Sequence, residues 1–485
     1  MPNPSPAGMP THSEIRYHLG YRFLRLFADI RHGEAGKALL LALNVFLLLL
    51  AYYILKPLRE ALLLVDEDSA VIKSCLSGAQ AVLFVFVIKA FSRLASKVPR
   101  HVLITWTTSF FISNLVIFFF LNLGGMAVKP MGIMFFIWIG IFNYFVIAQF
   151  WGFANDLYSD DVGRRTFPLV ALGATLGGLV ATLPIMKQLR DILGKNWQFK
   201  LMLIAGGILF LCIVLARHIH RREVRKAGED REKGLAGAEE KAKVQEQPLK
   251  AGGGFRLIFK SRYLLLIAVM IGLYNFVNAT GEFIITKVTV DQSIANTATK
   301  PAADALPASS PAVTAKTEMK TIHNAFMNYQ FLTNLIALFI QLFLVSRIFK
   351  WVGIGGALLF LPLIALGGYA LISFGAVLVL VRGVKAFENG TDYSLQNTTK
   401  AALFLVTKRE EKYKAKAAID TFFVRGGDTL SALAVVVGTQ LLGLRIERYA
   451  LLNVLVVIVL LVICFKIIKS YKTRKAAVDA AAAAG

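Results

Sequence analysis

Three charged side chains sit inside an apolar run long enough to cross a bilayer. The stretch Ile54-Leu-Lys-Pro-Leu-Arg-Glu-Ala-Leu62 follows residues 38–55, which are almost all Leu, Ala, Val, Phe and Tyr, and apolar sequence resumes after it. A charge at the bilayer centre costs about 2.5–3.5 kcal/mol on insertion scales, so these groups are not expected to face lipid. Tyr52, Lys56 and Arg59 are spaced four and three apart and share one helical face, with Glu60 beside Arg59. Lysine supplies a point charge and arginine a forked donor, the two groups suited to an anionic, phosphate-bearing solute. Tyr52 offers a ring for stacking. Glu60 would pair with the cations in an empty site or carry a coupling proton. The competing reading has Lys56 and Arg59 snorkelling to the interface. The apolar run continues beyond them, which favours a site. Pro57 removes a backbone donor and predicts a bend.

Polar residues recur at helical spacing in other apolar segments. One holds Asn275, Asn278 and Glu282, with Lys287 beyond; another holds Arg382, Lys385, Glu388 and Asp392. Further groups are Gln149, Asn155 and Asp156; Asn324, Asn328 and Gln330; and Asp420, Arg425 and Asp428. Each stripe must face a cavity or another helix. For Asn324, Asn328 and Gln330 helix–helix hydrogen bonding is the favoured reading. For Arg382, Lys385 and Glu388 a site or gate is favoured. Asp156, Asp160 and Asp161 lie close in sequence to Arg164 and Arg165, as an ion-paired gate or a solvated loop.

The segments carrying these residues are membrane spans. The chain has 485 residues, 56% of them hydrophobic, and a mean hydropathy of +0.60, against about 45–50% apolar for soluble domains. Spans are expected near residues 37–65, 70–91, 102–123, 131–155, 166–186 and 200–216, then 263–286, 322–345, 352–371, 373–395, 418–443 and 449–468. The net charge of +24 resides in loops and tails. That follows the positive-inside rule and speaks against nucleic-acid binding. It also places both termini in the cytoplasm, although the basic loop 187–200 falls on the outer side. Residues 17–31 read as an amphipathic surface helix, and residues 291–318 as a flexible outer loop. The first apolar run begins near residue 37, so no cleavable signal is expected.

The three cysteines have no metal or disulfide spacing and read as packing residues. Gly173-Ala-Thr-Leu-Gly-Gly178 reads as close helix packing rather than a phosphate loop, because no Gly-Lys-Ser/Thr follows. No catalytic constellation, metal site or cofactor motif is present, so the chain reads as a non-enzyme.

The two halves repeat weakly. Ser92-Arg93 after the second span matches Ser346-Arg347 after the eighth, and Glu60 has a counterpart in Glu282. Six plus six spans with parallel halves describe an all-α, major-facilitator-like fold, with substrate held near the midplane. The expected division is a tail with an amphipathic helix (1–36), a first bundle (37–216), a charged linker (217–262), a second bundle (263–468) and a tail (469–485).

Three stretches resemble the ATP:ADP antiporter family of intracellular bacteria and plastids. They are residues 54–62; Phe150-Trp-Gly-Phe-Ala-Asn155 running through Arg164-Arg-Thr-Phe-Pro-Leu-Val-Ala-Leu-Gly-Ala174; and Tyr393-Ser-Leu-Gln-Asn-Thr-Thr-Lys400 with Lys412-Tyr-Lys-Ala-Lys-Ala-Ala-Ile-Asp420. The resemblance implies exchange of nucleoside triphosphate for diphosphate, or nucleotide uptake. It places the family's charged first-span residues on Lys56, Arg59 and Glu60, its seventh-span acid on Glu282, and a motif lysine on Lys400. The chain departs from the family at Asn397-Thr398, where Asp-Pro is usual, and exchanges lysine and arginine at Lys56 and Arg59.

The expected partner is thus a nucleotide or another anionic solute. It would be bound by Tyr52, Lys56, Arg59, Glu60, Asn155, Asn275, Asn278, Glu282, Arg382, Lys385, Glu388 and Lys400. Gating or coupling is expected at Asp156, Asp161, Arg164, Arg165, Asp420 and Arg425. A monomer in a bacterial inner membrane is expected, with no metal and no cofactor. The alternatives are a proton-coupled carrier or exporter of another organic anion and, less favoured, a non-transporting membrane scaffold.

Overall fold

The computed structural model describes residues 34–64, 68–95, 98, 100–158, 160–232, 254–298, 311–375, 377–407, 411 and 415–483. Nearly all of them are helical. The order is α1 (Ala35–Leu63), α2 (Ser69–Ala95), α3 (Arg100–Leu123), α4 (Val128–Leu157), α5 (Asp160–Ala181), α6 (Ile185–Leu193), α7 (Trp197–Glu232), α8 (Gly254–Lys260), α9 (Arg262–Ala298), α10 (Pro311–Phe339), α11 (Val345–Phe374), α12 (Leu378–Thr391), α13 (Asn397–Leu403), α14 (Val424–Val436) and α15 (Ile446–Ala483). Among the described residues, eight helical stretches are long and apolar enough to cross a membrane, and α5 with α6, bent by 53°, makes a ninth. The remaining expected spans are helical too, but shorter. The described apolar stretch of α2 is the shorter Ser69–Phe84, and α12 has 14 residues that include Arg382, Lys385 and Glu388.

Boundaries differ from expectation where charge density was read as loop. α7 continues past residue 216 to Glu232, because a solvated helix tolerates the charged residues that end a membrane span. α9 runs to Ala298 and α10 starts at Pro311, so the expected outer loop is helical at both ends. The basic segment after residue 186 contains the amphipathic helix α6. α10 and α11 are joined by a wide turn at Ile340–Leu344, and the chain breaks direction at Gly353 (φ 68°, ψ 179°), a backbone geometry open essentially to glycine alone. α1 runs unbroken through Pro57. The expected surface helix at residues 17–31 lies outside the described residues.

The side chains of α1–α7 form one large core, from Leu41 to Ile219 with Met319 added. Those of α8–α15 pack around two further main clusters. Cys212 and Cys464 are buried as expected, whereas Cys75 is exposed. The glycine motif of α5 packs directly on α1. A Cβ at Gly173 would overlap the carbonyl of Ala42, and one at Gly177 the carbonyl of Phe46. These glycines set how closely α5 approaches the helix that carries Lys56 and Arg59.

Glycine-to-alanine exchange separates contact from propensity. Gly177→Ala is expected to destabilise the fold by about 1–3 kcal/mol through overpacking. Gly207→Ala, on α7 with open space around it, should be neutral or stabilise by about 1 kcal/mol. Thermal unfolding in detergent reads the two signs.

Candidate substrate-binding site

The face of α1 read from the sequence opens onto a cavity between the two groups of helices. Its volume is about 290 Å³, at the lower end for ligand pockets. α1 contributes Tyr52, Lys56 and Arg59, and α2 contributes Lys73, Ser74, Ser77 and Gln80. Across the cavity stand Asn278, Glu282 and Phe283 of α9, Tyr393 between α12 and α13, and Arg425, Asp428 and Ser431 of α14. Tyr393 lies in the wide turn Asp392–Gln396, a backbone form frequent at functional sites.

One charge network ties the two sides together. Glu60, 2% exposed, is paired with Arg59 on its own helix and with Lys73, whose ammonium lies 2.8 Å from the carboxylate. Lys73 also donates to the Thr286 hydroxyl at 2.9 Å and stands 4.0 Å from the Glu282 carboxylate, both on α9. Glu282 accepts from the Tyr329 hydroxyl (2.9 Å) and the Asn389 amide (3.0 Å). Lys56 donates to Gln330 of α10 at 3.2 Å. Arg59 lies over the Phe136 ring at 4.6 Å, and Arg425 lies over Phe84 at 4.3 Å while bonded to Asp428 at 3.1 Å. Four cations (Lys56, Arg59, Lys73, Arg425) thus meet three carboxylates (Glu60, Glu282, Asp428), a net of +1 from 4 − 3. Cations whose carboxylate partners lie on separate helices can exchange those partners for phosphate oxygens without being left bare.

Several expected residues lie elsewhere. Lys385, 2% exposed, and Glu388 form a 3.1 Å ion pair behind the cavity. Lys385 also donates to the side chain of Asn278 at 2.6 Å, and Tyr369 donates to Glu388 at 2.7 Å. The pair fastens α12 to α9 and does not line the cavity. Arg382 is half-buried and also outside it. Asn275 turns back to its own helix, donating to the Ile271 carbonyl at 2.9 Å. Lys400 pairs with Asp392 at 3.0 Å near the Tyr274 ring. Asp420 is exposed and paired with Lys416. The side chains of Asn155, Asp156, Asp161, Arg164 and Arg165 lie outside the described residues. A second, mainly apolar cavity of about 20 Å³ sits beside Asn44, Leu48 and Cys212, away from the cations.

Sequence reasoning missed Lys73, Gln80, Tyr329, Asn389 and Tyr393. Lys73 follows the acidic run Asp66-Glu-Asp68 in the sequence, an ordinary setting for an interfacial lysine. Its position opposite Glu282 is visible only once α2 and α9 are packed together.

Polar contacts also join α6 to α10 outside the cavity. Arg190 of α6 donates to Asn324 of α10 at 2.5 Å, and Lys187 donates to Asn328 at 2.5 Å. Lys320 pairs with Asp191 at 2.8 Å, and His323 packs on Trp197 at 4.6 Å between ring centres. Asn324 and Asn328 therefore serve helix packing, and their partners are the cations of the basic segment after residue 186.

Residues 131–476 match the model of the TLC ATP/ADP transporter family. ADP,ATP carrier protein 1 of Chlamydia trachomatis serovar D is 26% identical over 319 residues, covering 59% of this chain and 54% of that protein. The Chlamydia muridarum carrier of the same name is 25% identical over 468 residues, covering 83% of this chain and 82% of the other. Among solved structures, a variant of the nucleoside transporter NupG superposes with a TM-score of 0.59 at 12% identity, covering 89% of this chain and 99% of that one. An auto-inhibited POT family peptide transporter gives 0.56 at 12% identity, covering 90% and 97%. The likeness to these structures establishes a major-facilitator-like fold of membrane-spanning helices.

The network makes a stability prediction independent of substrate. Lys73→Met should destabilise the protein by about 1–3 kcal/mol, because buried Glu60 is left with Arg59 alone and cavity-lining Glu282 loses a nearby cation. Adding Glu282→Gln should recover about 0.5–3 kcal/mol of that loss. Thermal unfolding of the four proteins of this cycle measures the coupling, and strictly additive losses would show that Lys73 does not join the two sides.

Proposed function

Because the chain belongs to the TLC ATP/ADP transporter family, we propose that it carries nucleotides across a membrane by alternating access. ATP/ADP-type exchange is the leading mode, and nucleotide uptake is the variant of it. The observation that carries this reading is the central cavity, lined by four cations drawn from helices on both of its sides. A polyphosphate meets Lys56, Arg59 and Lys73 there, and Tyr52, Tyr393 and Phe136 offer rings for a base. As phosphates enter, Glu60 and Glu282 give up Lys73. When the cavity empties, the carboxylates take it back, so Lys73 keeps a counter-charge in both states. Lys385 and Glu388 act at one remove by holding Asn278 at the cavity wall.

In this reading the bundles 37–216 and 263–468 rock against each other about the cavity. In this reading, too, the face where α1 begins is cytoplasmic and the membrane is a bacterial inner membrane; the basic ends of α7 and α15 support that orientation through the positive-inside rule. The contacts of α6 with α10 then form the closed outer gate, and the substrate path leads to the cytoplasmic side. The chain acts as a transporter rather than an enzyme.

Arg59→Ala and Lys56→Ala, folded and reconstituted in liposomes, should each lower uptake of labelled ADP or ATP about ten- to hundredfold, the worth of one charge-assisted contact. Wild-type uptake by both would sink the assignment of the phosphate site. For the gate, Asp191→Cys with Lys320→Cys, in a protein whose Cys75, Cys212 and Cys464 are replaced, should cross-link on oxidation. Exchange should then stop and recover with reductant. Transport at the reduced rate despite complete cross-linking would show that these helices do not part.

A further inference from the structure

We propose that the end of α7 is a binding site for the headgroup of an anionic phospholipid. The observation is a continuous stripe along one helix. Phe210, Leu211 and Val214 are 59%, 53% and 49% exposed and face lipid within the span. The same face, continued at intervals of three and four, becomes His218, Arg221, Arg222 and Arg225. These four side chains line a concavity of about 460 Å³.

The opposite face of α7 is committed to the protein. Leu209, Cys212, Ile213, Ala216 and Ile219 are buried there. Glu223 follows on that side and is paired with Lys37 of α1, which pins the helix end and keeps the carboxylate away from the arginines. Arg217 reaches sideways to the Thr105 hydroxyl of α3 at 3.3 Å. No carboxylate is among the described residues that line the concavity.

Helical rise fixes the depth. Arg221 and Arg222 lie seven and eight residues beyond Val214, which is about 11 Å along the axis. That carries them from the acyl region into the headgroup layer. A lipid whose chains lie along Phe210 and Val214 therefore presents its phosphate to these guanidiniums. Forked donors suit a phosphodiester, and a net negative headgroup answers the guanidiniums of Arg221 and Arg222. This site lies at the membrane rim and is separate from the central cavity, so it stands or falls apart from nucleotide transport.

The test uses the full-length protein in nanodiscs of phosphatidylcholine mixed with phosphatidylglycerol, with retained lipid read by native mass spectrometry. Wild type should retain phosphatidylglycerol in preference to phosphatidylcholine. The combined variant R221Q, R222Q, R225Q should lose that preference by about fivefold or more per arginine removed. A variant with lysine at the same three positions should keep part of it, which excludes unfolding as the cause. Equal retention of phosphatidylglycerol by wild type and the glutamine variant would overturn the proposal. So would release of the retained lipid by added ADP, which would make the concavity a nucleotide site instead.

Discussion

Lys73 between Glu60 and Glu282 is the contact on which the arrangement depends. Lys73 is 6% exposed, on the wall of the central cavity. A lysine this buried is costly without carboxylate partners. Shared among one carboxylate on α1, one on α9 and the Thr286 hydroxyl, the charge is satisfied. Because those partners belong to helices on opposite sides of the cavity, the same satisfaction holds the two sides in register. Glycine contacts between α5 and α1 and the Lys385–Glu388 pair behind α9 then fix the walls around it.

This arrangement suits a carrier better than a static scaffold. A scaffold gains stability by replacing buried charge with apolar packing, and four cations around a cavity run against that tendency. A carrier of polyanions needs cations that are never left unpaired. Carboxylates on separate helices provide this, since each side keeps a counter-charge as the other moves away. Membership of the ATP/ADP transporter family and the major-facilitator-like fold point the same way.

The sequence made the helical face of Tyr52, Lys56 and Arg59 legible because their spacing and apolar surroundings leave one workable direction. It also identified Glu282, Asn278 and Arg425, which the fold brings to the same cavity. It did not distinguish that face from the stripe of Lys385 and Glu388. Periodicity says which residues share a face, whereas Tyr369 and Asn278, which complete the buried pair, come from other helices. Lys73 was hidden by its neighbours: the acidic run Asp66-Glu-Asp68 just before it gives an ordinary reason for a lysine at a helix start. The amphipathic helix α6 read as a loop because its charges break the hydropathy, yet those charges are the ones that meet Asn324, Asn328 and Lys320.

The most direct test of the central claim is counterflow in liposomes. Protein reconstituted around unlabelled ATP should accumulate labelled ADP transiently, and external ATP should compete with it. Labelled adenosine, which lacks phosphate, should not accumulate. Accumulation of adenosine as readily as ADP, or none of any nucleotide by protein shown to be folded, would contradict a cavity whose cations exist to hold phosphates.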